Sequence, residues 1–488
     1  MFDVRAEISP RLLDSFFIDG DWVRATGPNT KSLISPSTGQ AVAEVSLATP
    51  REVDLAIVAA RSAFEGGPWP RLTAAERADY MLRLAEALER RATVFVNLWT
   101  AQVGAPISLA SRLVPLAVAR LRYFASLATT YAFEKDRPIA RGHARIVAEP
   151  VGPAALIIPW NAALPILMSK LGAALAAGCT CVIKPSPESP LDAYLVAECA
   201  REASLPPGVI NVVLADNDGS ARLVASPDIA KVSFTGSVGT GSQIAAVVSA
   251  RMGRLTLEMG GKSAAIFLPD GDVEQAMPTL EQFTMPFSGQ FCFSQTRILV
   301  PKAREAEISE AYAARVAAFK VGDPWEPDTW VGPVLNRRQF DKAISYITQG
   351  IQDGAEIVTG GRADTSQPTG NYILPTVFRN VTRDMSIAKE EIFGPVVTIQ
   401  AYKDEDDAVA IANDTDFGLS GSIFGNPERA FAVARRIRTG QVHINGMELA
   451  PSAPFGGFKM SGIGREGGPE GLEAFLETKA ILFPSAAI

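Results

Sequence analysis

Apolar positions along this chain change rhythm as it proceeds. After a strand-like run at 16–23, the first 130 residues read as mainly helical. Within 74–100, Tyr80, Leu82, Leu84, Leu88 and Val94 recur among arginines and glutamates at the spacing of an amphipathic helical face. From Pro153 the rhythm shortens. The apolar run 154–158 is closed by Pro159, as a buried parallel strand would be, and a helical stretch follows over 164–177. Runs at 180–184, 209–213 and 230–234 then alternate with helical stretches, one of them over 191–202, and Ser237 opens another helix. Such alternation predicts a parallel, doubly wound α/β sheet, which binds ligands at the carboxyl ends of its strands. A second alternating region over 263–446, with strands at 296–300 and 396–402, predicts another α/β unit. The polar extended stretch 137–149 and the strand-like 478–483 belong to neither sheet. Unpaired edges predict that they pair with each other, with another subunit, or with both.

Size and composition narrow the class without naming a chemistry. The 488 residues suggest two to three domains on a prior of about 150 residues each. Hydrophobic residues at 47% and charged ones at 20% fit a soluble globular protein. The net charge of −7 argues against nucleic acid or an anionic membrane as partner. The N-terminus shows no secretory pattern. The most membrane-like region, 153–168, is interrupted by Pro159, Asn161 and Pro165 and closed by Lys170, so it reads as a strand and a helix. Four cysteines make no disulfide framework and fit a reducing, cytoplasmic setting. The two histidines, His143 and His443, leave little material for a metal site or a Ser-His-Asp triad. Cys179 and Cys181 lie in an apolar run and read as core residues, so no metal is expected.

Candidate chemistry collects at strand ends and glycine turns. Leu257-Glu258-Met259-Gly260-Gly261-Lys262 offers a carboxylate where backbone can crowd a ligand, and Gly289-Gln290-Phe291-Cys292 offers a thiol after another glycine turn. A thiol nucleophile and a carboxylate base can add to a carbonyl and later deliver water. The bland readings are a core cysteine and a surface carboxylate. Phe234-Thr235-Gly236-Ser237-Val238-Gly239-Thr240-Gly241 is a strand end, a turn and a helix start, which either holds phosphate or merely caps a helix. Lys184 either reaches solvent or bonds a ribose hydroxyl, and Asn161 either caps a helix or donates to an oxyanion. Glu391-Ile392-Phe393-Gly394-Pro395 places an acid and an aromatic ring before a strand.

Together with Pro159-Trp160-Asn161 and Pro454-Phe455-Gly456-Gly457-Phe458-Lys459-Met460-Ser461-Gly462, these motifs resemble the aldehyde dehydrogenase superfamily in order and spacing over nearly the whole chain. The resemblance implies an NAD(P)-binding domain from 1–128 and 150–260, a catalytic domain over 261–465, and a small β oligomerisation arm from 129–149 and 466–488. It implies a homo-oligomer, either a homodimer or a homotetramer. By similarity Cys292 is the nucleophile that forms a thiohemiacetal, and Asn161 with the Cys292 backbone N–H is the oxyanion hole. Hydride passes to the nicotinamide, and Glu258 activates water to hydrolyse the thioester. Retention of Glu258 argues against a CoA-acylating reaction. Lys184 resembles the adenosine-ribose ligand, Ser237 the pyrophosphate ligand, and Glu391 with Phe393 the nicotinamide-side contacts. Ile157, Ile158, Pro159, Trp160, Ser186, Glu188, Phe234, Gly236, Gly241, Met259 and Gly260 fall on the same cofactor side.

Three departures bear on specificity. Where NAD-preferring relatives often carry Glu, this chain has Pro187, with Glu188 beside it. NAD is the expected cofactor and NADP the alternative. Phe293-Ser294 follows the cysteine where small residues are usual, and Ala162, Ala163 and Ser169 stand at positions often bulkier. Small residues predict a wide entrance, while Phe291, Phe293, Met285 and Phe287 predict an apolar one. Ala162, Ser169, Phe291, Phe293 and Phe455 are the expected substrate pocket. No Arg or Lys between Gly446 and Phe455 offers to grip a second carboxylate. The expected substrate is a bulky hydrophobic aldehyde, aromatic or terpenoid-like. Two rivals are a cysteine thioester hydrolase or acyltransferase without a redox cofactor, and a non-catalytic structural protein on this fold. The dinucleotide-type residues speak against the first, and intact Cys292, Glu258 and Asn161 against the second.

Overall fold

Five short apolar runs form the parallel centre of the first sheet: β1 (Ala154–Ile157), β2 (Cys181–Lys184), β3 (Ile210–Val212), β4 (Lys231–Thr235) and β5 (Arg254–Glu258). The computed structural model describes residues 4–367 and 369–484, so the first three and last four residues of the expected domains lie outside it. Strands β1 to β4 are buried on both faces, as strands of a doubly covered parallel sheet must be. Their order is β5-β4-β1-β2-β3, so the winding reverses between β1 and β4. That reversal opens a crevice beyond the carboxyl ends of the two strands. A hairpin of Ser15–Ile18 and Asp21–Arg24 adds antiparallel to β3, and Gly462–Ile463 adds antiparallel to β5.

Three helices position the site. α1 (Ile107–Thr130) packs along α2 (Ala163–Ala177), and α3 (Val238–Ala250) follows β4. Of α2, all residues but Ile166 and Ser169 are buried. The stretch 74–100 is not one helix. It divides into Ala74–Arg90 and Ala92–Val103 at Arg91, whose φ of −105° and ψ of 13° leave the helical region. The Arg91 side chain reaches the Ala87 carbonyl and Glu202, so tertiary contacts hold a break that no Gly or Pro announces.

The second sheet runs Glu356–Thr359, Thr376–Arg379, Val396–Tyr402, Arg297–Pro301, Ala264–Phe267, Gly421–Phe424, His443–Ile444 and is parallel apart from its first strand. The two orphan segments pair with each other: Leu476–Phe483 lies antiparallel to His143–Pro150 in full register, with Glu134–Pro138 as third strand. Residues 153–168 divide between β1 and α2 as expected. Among the described residues no helix is long and apolar enough to cross a membrane, and no group of three or more His, Cys, Asp or Glu could hold a metal.

Candidate active site

Cys292 stands on a loop with an unusual backbone. Phe287 (φ 52°), Ser288 (φ 57°) and Gly289 (φ 69°) are consecutive left-handed residues, two of them with side chains that disfavour it. Neighbouring loops hold the turn. Ser288 Oγ donates to the Gly332 carbonyl at 2.6 Å, Gln290 Nε2 to the Phe287 carbonyl at 3.0 Å, and the Leu335 N–H to Gln290 Oε1 at 2.9 Å. A Cβ on Gly289 would lie 2.2 Å from the Gly394 carbonyl oxygen, so the turn cannot accept a larger residue there. Asn161 does not cap α2; that position belongs to Ala162. Its Nδ2 instead donates to the Gln290 carbonyl at 2.8 Å, tying the end of β1 to the cysteine loop. An amide nitrogen carries two hydrogens, so one remains for a ligand.

Glu258 ends β5 with 3% of its surface exposed, and neither carboxylate oxygen has a protein partner. Burial holds its pKa well above the ordinary value, and the negative charge of Glu466 adds to the rise against Lys170 and Arg465. Lys170 is fully buried on α2 and bonds Glu466 closely, with Ser233 Oγ at 3.0 Å. Cys292 is likewise pushed up, by burial first and then by the charges of Glu391 and Glu258. The resting cysteine is therefore a thiol, and its activation needs a base or an added positive charge.

Asn161, Glu258 and Cys292 line one cavity of about 1000 Å³, counting its open mouth. All five residues expected in the substrate pocket, Ala162, Ser169, Phe291, Phe293 and Phe455, are in its wall. Phe291 and Phe293 stack with ring centres 5.0 Å apart, and Phe283 meets Phe293 edge-on. Met285 and Phe287 do not line the cavity. Both are fully buried, with Phe287 packed against Trp99, Trp160 and Phe291, so they support the wall rather than form it. Motif reading missed the contribution of α1: Leu113, Leu116, Arg120 and Phe124 also line the cavity, as does Glu466. Their three- and four-residue spacing marks a helical stripe, and a cation on that stripe was the available signal.

The crevice between β1 and β4 carries the residues expected on the cofactor side. Ser237 caps α3, accepting from the Thr240 N–H, and a Cβ at Gly239 would meet nothing within 4 Å. This exposed helix start leaves backbone N–H groups free for an anion such as a pyrophosphate. A side chain at Gly241 would strike Met259, and one at Gly236 the Phe234 ring, so these glycines permit close packing. Lys184 is buried at the end of β2, and burial lowers its pKa to about 8, opposed by Asp216. Ile157 and Ile158 are buried beneath Pro159 and Trp160. Trp160 meets Phe393 edge-on at 5.6 Å. Glu391 accepts from the Gly261 N–H at 3.1 Å, and a Cβ on Gly260 would lie 2.3 Å from its carboxylate. Ser186 accepts from the Glu188 N–H, while the Glu188 carboxylate is held by Lys31 at 3.2 Å. These features fit a dinucleotide: an open anion cradle, a cation at a strand end and a half-buried carboxylate beside glycines.

Residues 22–481 match the profile of the aldehyde dehydrogenase family. The chain is 41% identical to geranial dehydrogenase of Castellaniella defragrans over 95% of this chain and 98% of that protein. It is 42% identical to 3-succinoylsemialdehyde-pyridine dehydrogenase of a Pseudomonas species, over 96% and 98%. Among solved structures, a mutant aldehyde dehydrogenase C from Pseudomonas syringae, in complex with NAD+ and octanal, superposes with a TM-score of 0.95 at 40% identity, covering 99% of both chains. An aldehyde dehydrogenase from Mycobacterium tuberculosis in complex with NAD+ has the same TM-score at 38% identity, covering 97% of this chain and 99% of that one.

Proposed function

The chain belongs to the aldehyde dehydrogenase family, and on that premise we propose that it oxidises a bulky hydrophobic aldehyde, aromatic or terpenoid-like, to the free acid, with NAD as cofactor and NADP as the alternative. One observation carries the reading: a thiol, an orphaned carboxylate and an amide donor face a single cavity whose remaining wall is largely apolar. NAD-bound relatives support the cofactor, and relatives named for geranial and crystallised with octanal support the substrate class.

Cys292 gives its thiol proton to a water molecule that passes it to solvent, and Sγ adds to the aldehyde carbon while the free hydrogen of Asn161 Nδ2 and the Cys292 backbone N–H receive the oxygen. Each such donor contributes roughly 3–4 kcal/mol in the transition state. The cofactor, when bound, supplies the hydride acceptor. What remains is an acyl group on Cys292. Glu258 takes a proton from water as that water attacks the thioester carbon, the C–S bond breaks, and the acid leaves. A carboxylate with a raised pKa suits this task, because it is a stronger base than an ordinary carboxylate. The closely bonded Lys170–Glu466 pair keeps the floor behind it polar without satisfying it.

Residues 1–128 and 150–260 would hold the cofactor through Lys184, Ser237, Glu391 and Phe393, and 261–465 would carry Cys292. The three-stranded arm from 129–149 and 466–488, with Ile481, Leu482 and Phe483 exposed, would contact a second copy in a homodimer or homotetramer. Purified protein, NAD+ or NADP+ and a panel of octanal, geranial, benzaldehyde and succinic semialdehyde test the reading through reduced-cofactor absorbance. Hydrophobic aldehydes should lead in kcat/KM, and Cys292→Ser should remove turnover while cofactor still binds. Equal kcat/KM for succinic semialdehyde and benzaldehyde would sink the substrate assignment.

A further inference from the structure

Arg120 is the one cationic side chain among the described residues that line the substrate cavity. It projects from α1, and its side-chain hydrogen bond to protein is from Nη1 to the Pro165 carbonyl at 2.9 Å. Ser169 Oγ donates to the same carbonyl at 3.2 Å. Thr235 Oγ1 lines the same cavity, buried and without a protein partner. A guanidinium has five N–H groups and the Pro165 carbonyl takes one, so Arg120 keeps donors for a ligand, with the Glu466 charge acting on it from the same cavity.

The polar groups have a definite place. An adjoining outer cavity shares Leu113, Leu116, Phe291, Phe293 and Leu449 with the inner one, all of them apolar. Arg120, Ser169 and Thr235 belong to the inner cavity alone, with Asn161 and Cys292. An aldehyde at Cys292 with its tail in the shared channel would pass an apolar wall outward and the donor patch near its reacting end. An uninterrupted hydrocarbon would desolvate the guanidinium and return nothing for it. Glu466 lines the same inner cavity and its charge already acts on Arg120, so a second carboxylate there would compete with it, whereas a neutral oxygen would not.

We propose that Arg120 is a specificity-determining residue that hydrogen-bonds a second, neutral oxygen of the substrate, so that the preferred aldehyde is a largely apolar molecule with a keto or hydroxyl oxygen a few bonds from the aldehyde carbon. The proposal rests on the aldehyde-oxidising reading above and deepens it. The bond is worth about tenfold in kcat/KM, the usual discrimination of a buried donor between an acceptor and its absence.

A matched pair tests it: 4-oxo-4-phenylbutanal and 4-phenylbutanal differ in one carbonyl oxygen, too distant to change the aldehyde's electrophilicity much. Wild-type protein with NAD+ should favour the keto compound by about tenfold, mainly through KM. Arg120→Met should bring the ratio towards one, and Arg120→Lys should retain part of it. Equal kcat/KM for the pair in the wild type, an unchanged ratio in Arg120→Met, or a preference for succinic semialdehyde over both would overturn the proposal. The wild-type ratio needs no variant to fold. Turnover of 4-phenylbutanal itself separates the two claims, because its absence together with that of every other aldehyde would remove the underlying reaction instead.

Discussion

Two buried glutamates in this protein have opposite surroundings. Glu52, 1% exposed in the N-terminal region, accepts four hydrogen bonds, from the N–H and hydroxyl groups of both Thr26 and Thr49. Burial pushes its pKa up, but those bonds outweigh burial and hold it below the ordinary value. Glu258, 3% exposed, accepts none from protein and is held well above that value by burial and by Glu466. Similar surface exposure thus accompanies a lowered pKa at Glu52, which lies less deeply and accepts four bonds, and a raised one at Glu258, which lies deeper beside Glu466 and accepts none from protein. Hydrogen-bond supply, depth of burial and the neighbouring charge separate the two.

Glutamine substitutions at the two positions should separate these roles most widely in activity. Glu258→Gln should lower steady-state turnover by roughly 10²–10⁴-fold, the range of general-base contributions. Glu52→Gln should leave kcat per folded molecule nearly unchanged. Steady-state assays normalised to folded protein check both.

In stability the two should move in opposite directions. Glu52→Gln loses charge-assisted bonds and leaves donors unpaired, at about 2–4 kcal/mol. Glu258→Gln removes a carboxylate that folding desolvates without compensation and should stabilise by about 1 kcal/mol at neutral pH. Denaturant unfolding of both variants measures the signs. A loss of stability in Glu258→Gln as large as that in Glu52→Gln would erase the contrast.

The pH dependences follow with the same opposition. The folded pKa of Glu52 lies below its unfolded value, near 4.5, so its contribution is complete above that value and is lost as pH falls through the folded pKa. The folded pKa of Glu258 lies above 4.5, so the fold holds the extra proton, and stability declines as pH rises from 4.5 through the folded pKa. Thermal unfolding across pH should show a shallower acid-side slope in Glu52→Gln and a shallower upper slope in Glu258→Gln, with other shifted carboxylates such as Glu202 and Asp192 keeping the remainder. Over the same range, turnover should rise with pH as Glu258 ionises.

A third carboxylate sets the lower limit. Glu188 is over a third exposed and paired with Lys31. Glu188→Gln should change stability by less than about 1 kcal/mol. Its effect should appear instead as a few-fold shift of the NADP/NAD kcat/KM ratio towards NADP, because a negative charge disfavours a 2′-phosphate.

Local pattern made the α/β alternation legible, along with Asn161, Lys184, Glu258 and Ser237 at strand ends and helix starts. Proline closures and glycine turns punctuate the chain there, and both act within a few residues. What was not legible depends on distant partners. Lys170 reads as a charge closing an apolar run, and its Glu466 lies 296 residues away. Arg120 carries no motif, and it enters the cavity because α1 packs on α2. Met285 and Phe287 were expected to make the entrance apolar because apolar composition does not say which face of a loop each side chain occupies, and both turn inward. Even the two-helix division falls at Arg91, which pairs with the distant Glu202, and not at a breaker residue.

The proposed hydrolysis turns on the unsatisfied carboxylate of Glu258 delivering water to an acyl group on Cys292. Mixing Glu258→Gln with NAD+ and octanal, following NADH and then weighing the intact protein by mass spectrometry, tests it directly. The expected result is a burst of about one NADH per active site, then near arrest, with an octanoyl mass retained on Cys292. Continued turnover at the wild-type rate with Cys292 unmodified would contradict it.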